Sequence, residues 1–118
     1  MTKLRPLKGV KVDPFPRDGI TVDIFDFDFT GVLACIVYLK AKTYFSSWCD
    51  RDEDTDRWWF AEIDDETVRK LRDNNMTYRG IYDQTPEFIF EDICHGELSL
   101  TKVSKEDFPQ EYIPNDGI

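Results

Sequence analysis

From Ile20 to Ile63 the chain passes through four stretches of strand length with no helical period between them, and this limits the fold more than any other feature. Residues 20–29, ITVDIFDFDF, alternate in two frames. Ile20, Val22 and Ile24 share one face; Phe25, Phe27 and Phe29 share the other with Asp23. The change of frame at Ile24-Phe25 predicts a bulge, or a strand covered on both sides. Residues 32–39, VLACIVYL, form a continuous apolar run suited to the middle of a sheet. TYFSSWC at 43–49 and WWFAEI at 58–63 mix aromatic and polar residues and read as a hairpin around the charged link DRDEDTDR at 50–57. Strands joined directly to strands call for antiparallel pairing, because a parallel crossover needs a dozen or more residues.

The one clear helix signal follows at 64–74, DDETVRKLRDN. Asp64 is suited to the N-cap, acids fill the first turn and bases the last, and Ile63 and Val68 are spaced as a hydrophobic staple. Residues 76–85 read as irregular. EFIFEDI at 87–93 and ELSLTKV at 97–103 flank a His95-Gly96 turn, with Leu98 and Leu100 on one face and Val103 on the other. The expected architecture is a single α+β domain with a mostly antiparallel sheet of about six strands and one short helix packed on it. Its divisions are a basic, proline-containing N-terminal arm at 1–19, the domain at 20–108 and a loose C-terminal tail at 109–118.

The chain has 118 residues, enough for one modest domain. No apolar run approaches the roughly 20 residues of a membrane span. The opening MTKLRPLKGVKVDPFP lacks the apolar core of a signal peptide, so a cytoplasmic location is expected. Cys35, Cys49 and Cys94 are odd in number and irregular in spacing, which suits a reducing compartment and gives neither a disulfide framework nor a chelating pair. No cofactor or metal is required.

Charge is uneven. The net charge is −9, yet four of the 15 bases (Lys3, Arg5, Lys8, Lys11) precede the first acid, leaving 11 against 24 acids beyond it. Such a surface repels nucleic-acid phosphates and speeds encounter with a basic protein. The acids Asp50, Asp52, Glu53, Asp54 and Asp56 crowd one link, beside Trp48, Trp58 and Trp59. Trp58 and Trp59 must point to opposite faces of their strand, one into the core and the other outward or beneath a covering segment. Counted from Asp50 or Asp52, the link lacks the glycine and glutamate of an EF-hand loop, so it reads as a solvated tip able to meet a basic partner.

Asp26-Phe27-Asp28-Phe29-Thr30-Gly31 resembles, over about eight residues, the nucleophile motif of the haloacid dehalogenase superfamily. That resemblance would make Asp26 the nucleophile and Asp28 the acid/base beside magnesium. The chain around it has no crossover helices, and the apolar pattern resumes at Val32 where the phosphatase strand would end. Three structural readings stand instead: both carboxylates solvated by simple alternation, both buried and paired, or both part of an acidic binding face. More broadly, the order from residue 20 to about 93 resembles a small prokaryotic or phage domain family of unknown function. Phe25-Asp26, Tyr44 to Trp48, Trp58 to Ile63, Thr67 to Arg72, Met76 to Tyr82 and Pro86-Glu87 carry this resemblance.

The sequence points first to a non-enzymatic acidic binding protein that occludes a larger, basic or nucleic-acid-binding protein, in the manner of an immunity protein or a phage-type inhibitor. Its partner-binding residues are Asp50, Asp52, Glu53, Asp54, Asp56, Trp58, Asp26 and Asp28. The alternatives are a metal-dependent phosphatase or nuclease using Asp26 and Asp28, and an oligomer-forming accessory subunit.

Overall fold

Alternation and aromatic content produce seven strands in the computed structural model, which describes residues 4–15, 21–28, 31–39 and 41–115; the side chains of 24–28 and 31–32 lie outside that description. The elements are β1 (Val10–Val12), β2 (Thr21–Asp28), β3 (Gly31–Tyr38), β4 (Thr43–Arg51), β5 (Thr55–Ile63), α1 (Asp65–Arg72), α2 (Tyr78–Gln84), β6 (Glu87–Cys94) and β7 (Glu97–Ser104). Two short 3-10 turns follow at Lys105–Asp107 and Gln110–Tyr112. All pairings are antiparallel and the spatial order is β1-β7-β6-β5-β4-β3-β2. The expected α+β class holds, with one strand and one helix more than the sequence indicated.

Alternation fixes which side chains each face receives. Ile36, Phe45, Trp59, Phe88, Phe90 and Val103 point to the face that carries the helices. Val68 and Leu71 of α1, Ile81 and Tyr82 of α2, Phe108 and Tyr112 pack onto them. Aromatic rings meet there at tilted and edge-on angles, such as Trp59–Phe88 at 5.6 Å and Phe88–Phe108 at 4.6 Å. Such pairs add about 0.5–1.5 kcal/mol each beyond their buried area. Asp64 caps α1 as expected, its carboxylate accepting from the Thr67 amide at 2.8 Å, and Ile63 and Val68 are buried in the same core.

α2 was not expected. Gly80 sits in its middle and the segment is seven residues long, too short for a period to show. Its start is marked by Thr77, whose hydroxyl accepts from the Gly80 amide at 2.9 Å. The His95-Gly96 hairpin turn has both residues at positive φ (51° and 80°), the geometry a two-residue loop needs to match strand twist.

The N-terminal segment is part of the sheet rather than an appended arm. Leu7 packs on the helix-bearing face and Val10–Val12 pairs with the β7 edge. Phe15 lies on the opposite face, with ring centroids 5.1 Å from both Tyr44 and Phe60. The chain therefore passes around the sheet edge from one face to the other. The expected loose tail at 109–118 is corrected in the same way for residues 109–115. Tyr112 is buried and hydrogen-bonds to Asp50 and Arg57, because its hydroxyl meets the polar end of an otherwise apolar face.

Candidate interaction site

The link between β4 and β5 is shorter than the expected 50–57, since both strands run on and leave only residues 52–54 between them. Asp52 makes this tight turn. Its carboxylate accepts from the amides of Asp54 (2.9 Å) and Thr55 (2.8 Å), a local bond set that lets the chain reverse in three residues. The Asp54 amide, ahead of Thr55, holds the Asp52 carboxyl below its ordinary range.

The five acids expected at one tip are thus divided. A register shift at Cys49 separates the pairs Trp48↔Trp58 and Asp50↔Arg57. Without that extra residue Asp50 would share the face of Trp48; with it, Asp50 joins the helix-bearing face and accepts from the Tyr112 hydroxyl at 2.7 Å. Asp56 stays on the other face, where it accepts from the Trp48 indole N–H at 3.2 Å and pairs with Arg51 at 2.9 Å. Glu53 and Asp54 are exposed at the tip, with Asp54 3.6 Å from the His95 ring across the neighbouring β6–β7 turn. Trp59 is buried at 1% exposure; Trp58, opposite it, is half-buried. Trp48 is the exposed tryptophan, at 38%.

Behind this tip sits a polar network that the sequence reading missed. Arg57 is only 4% exposed on the helix-bearing face. Its guanidinium donates to both Asp92 oxygens (2.7 and 2.9 Å), to the Arg5 carbonyl (2.6 Å) and to the Tyr112 hydroxyl (3.1 Å). Burial opposes the arginine's charge, yet the Asp92 hydrogen bonds outweigh it and hold Arg57 more firmly protonated than usual. Burial, then the Asp50 hydrogen bond, raises the Tyr112 hydroxyl. The network joins the N-terminal segment, β4, β5, β6 and the C-terminal turn. Its signal was the frame: Arg57 alternates with Trp59 and Ala61, and Asp92 with Phe88 and Phe90, so a cation and an anion stand at inward positions on neighbouring strands.

The sheet end bearing the two turns gathers, among the described residues, eight carboxylates (Asp50, Asp52, Glu53, Asp54, Asp56, Asp92, Glu97, Glu111) with three guanidinium groups (Arg5, Arg51, Arg57) and the Lys11 amine, which reaches Ser99 beside Asp92. The internally bonded Asp50, Asp52 and Asp92 shape this end rather than present it. Asp26 and Asp28 belong to β2, level with Ala34 and Gly31 beyond the register shift that the change of frame predicted. Their side chains lie outside the described residues, as do Arg17-Asp18-Gly19. Among the described residues no group of three or more His, Cys, Asp or Glu side chains is placed to hold a metal ion. No helix among them is long and apolar enough to cross a membrane. Comparison with protein-family models, with curated proteins and with solved structures found no match to this chain.

Proposed function

We propose that the protein is a non-enzymatic binding module whose acidic sheet end docks on a basic surface of a larger protein. The observation that carries this reading is the exposed Trp48, its indole fixed by Asp56, at the rim of an end where the carboxylates named above outnumber the cationic side chains by four. An orienting hydrogen bond keeps the ring in one pose, which lowers the ordering cost of using it as an anchor. Glu53, Asp54 and Glu97 supply long-range attraction around it. Among the expected contact residues, Glu53, Asp54, Asp56 and Trp58 fit this role, with Trp58 backing Trp48 from the facing strand. Asp50 and Asp52 act indirectly, by holding the end in shape.

The test is retention of a partner from lysate by wild-type protein, by Trp48→Ala and by the Glu53→Gln/Asp54→Asn/Glu97→Gln variant, at low and high salt. Stoichiometric retention that both variants and high salt abolish is the expected result. Equal retention by all three proteins refutes the acidic-end reading.

A further inference from the structure

The acidic end also carries an open strand edge. β3 and β4 pair only as far as Ala34↔Ser47. Among the described residues each strand then runs on with its other neighbour alone: β4 with β5 to Arg51↔Asp56, and β3 with β2 to Asp28↔Gly31. The cause is local. β2 has register shifts between Ile24 and Asp26 and between Asp26 and Phe27, and β4 has one between Trp48 and Asp50. Such irregularities bend and twist a strand, so the two hairpins turn away from each other. Burial along β4 follows the parting. Tyr44, Phe45 and Ser46 are buried, whereas Ser47 to Arg51 are half-buried or exposed.

Beyond the parting, side chains attend to two main-chain groups of β4. The Asp50 carboxylate accepts from the Arg51 amide at 2.7 Å, and the Ser47 hydroxyl donates to the Trp48 carbonyl at 3.3 Å. A strand with a neighbour on one side only is a template for another strand.

A cavity of about 220 Å³ opens beside the same edge. Ser47, Trp48 and Cys49 form its β4 wall, and its apolar lining includes Trp59, Tyr78 and Ile113. Cys49, Trp59, Tyr78 and Ile113 all pack with the helix-bearing core, so the cavity lies on that face. The Trp48 ring belongs to the other face, opposite Trp58. A strand laid along the edge sends alternate side chains to these two faces.

We propose that this edge takes up an extended segment of the partner protein as an added strand. This rests on the acidic-end reading and names the element that docks there. Main-chain bonds to β4 hold the segment, and its alternating side chains give specificity. Those on the helix-bearing side enter the cavity, which has room for a valine or leucine side chain. Those on the other side meet the exposed Trp48 ring, where a lysine or arginine gains a cation–π contact. The excess of carboxylates at this end favours the same charge, and Arg51, at the end of the edge, is engaged by Asp56 at 2.9 Å. The occupant is therefore a segment that alternates apolar and basic residues.

The probe is an acetylated, amidated hexapeptide of alternating valine and lysine, titrated into the full chain and followed by protein-observed NMR. Two further peptides carry N-methyl groups, on the valine amides in one and on the lysine amides in the other. Successive amides of a strand point to opposite edges, so only one set can face β4. Saturable binding of the parent peptide is expected, with a dissociation constant below about 2 mM and slower amide exchange within residues 48–51. One methylated peptide, and only one, should bind about tenfold more weakly or worse. Trp48→Ala should weaken the parent severalfold. No saturation by the parent up to about 10 mM, or equal binding of the two methylated peptides, overturns the proposal. A valine–glutamate hexapeptide separates the two readings. Its failure to bind, with the methylated peptides equal, keeps the acidic end and removes the added strand. Its binding as tightly as the parent, with the methylated peptides unequal, keeps the strand edge and removes the acidic-end reading.

Discussion

Removing Asp92 should cost more than removing Arg57, although the two residues share one ion pair. The Arg57 side chain is 4% exposed and that of Asp92 24%. Asp92→Ala strands a guanidinium almost cut off from water, leaving it, among the described residues, the Arg5 carbonyl and the Tyr112 hydroxyl as partners. Breaking a buried pair costs about 3–5 kcal/mol, and the two surviving bonds place this case near the lower end, about 3 kcal/mol. Arg57→Met fills much of the space, and the carboxylate left behind can turn toward solvent. Its net cost is about 1–1.5 kcal/mol, because Asp92 regains water and Tyr112 keeps its bond to Asp50, so that the Arg5 carbonyl is the group left without its partner. With a urea dependence of about 1.5 kcal/mol/M for a chain of this size, Asp92→Ala should lower the unfolding midpoint by about 2 M and Arg57→Met by less than about 1 M. Because Arg57 holds the Arg5 carbonyl and Tyr112, Asp92→Ala should also speed hydrogen exchange in residues 4–15 and 109–115 together. Equal midpoint losses, or a greater loss for Arg57→Met, would refute the assignment of the cost to a stranded buried charge.

Three further outcomes follow from the same structure. Gly9→Ala should detach β1 from the sheet, since an added Cβ would stand 2.1 Å from the Lys102 carbonyl oxygen; faster exchange confined to residues 7–15 and the facing β7 amides is the readout, and an unchanged pattern contradicts it. Asp23 is held below the ordinary carboxyl range by the Tyr38 hydroxyl and then Arg72, Asp64 by Thr67, and Glu111 by its own backbone and then Arg5; Asp52 joins them through the Asp54 amide. These groups bind protons less tightly folded than unfolded, so the stability they add is complete above the unfolded carboxyl range and is lost as pH falls through their folded values; the urea midpoint should hold from pH 7 to 5 and drop below about pH 4, whereas a flat profile to pH 3 would contradict it. Burial, then Glu91, pushes the Cys35 thiol up to about 11, and burial raises Cys49 as well, so at pH 8 Cys94 should react with a disulfide reagent well ahead of the other two.

Most of the sheet was legible because its strands show either alternation or, at residues 32–39, a continuous apolar run of strand length. Val103 facing away from Leu98 and Leu100, the opposed Trp58 and Trp59 and the shift of frame after Ile24 all appear where the pattern put them. β1 was not legible, since a three-residue strand carries no period and its pairing with β7 is non-local. The candidate site was half legible. Composition located the acidic link, but the bulge at Cys49 decides which face Asp50 takes, and no local signal announces a single extra residue. Arg57 and Asp92 were readable in principle as opposite charges in apolar frames, a pattern that becomes visible only once the two strands are known to be neighbours.

The placement of β1 also sets an order of events in time. On a chain made from the N-terminus, Val10 emerges early, yet its partner Lys102 lies roughly ninety residues later. Strands β2 to β7 pair each with the next as they appear, through contacts close in the chain. The first segment cannot engage until the last strand is in place. Its closure around the edge, with Leu7 on one face and Phe15 on the other, has to wait for β7, because it joins segments at opposite ends of the sheet's chain order. Until that moment the outer side of β7 is an open sheet edge, able to pair with another molecule.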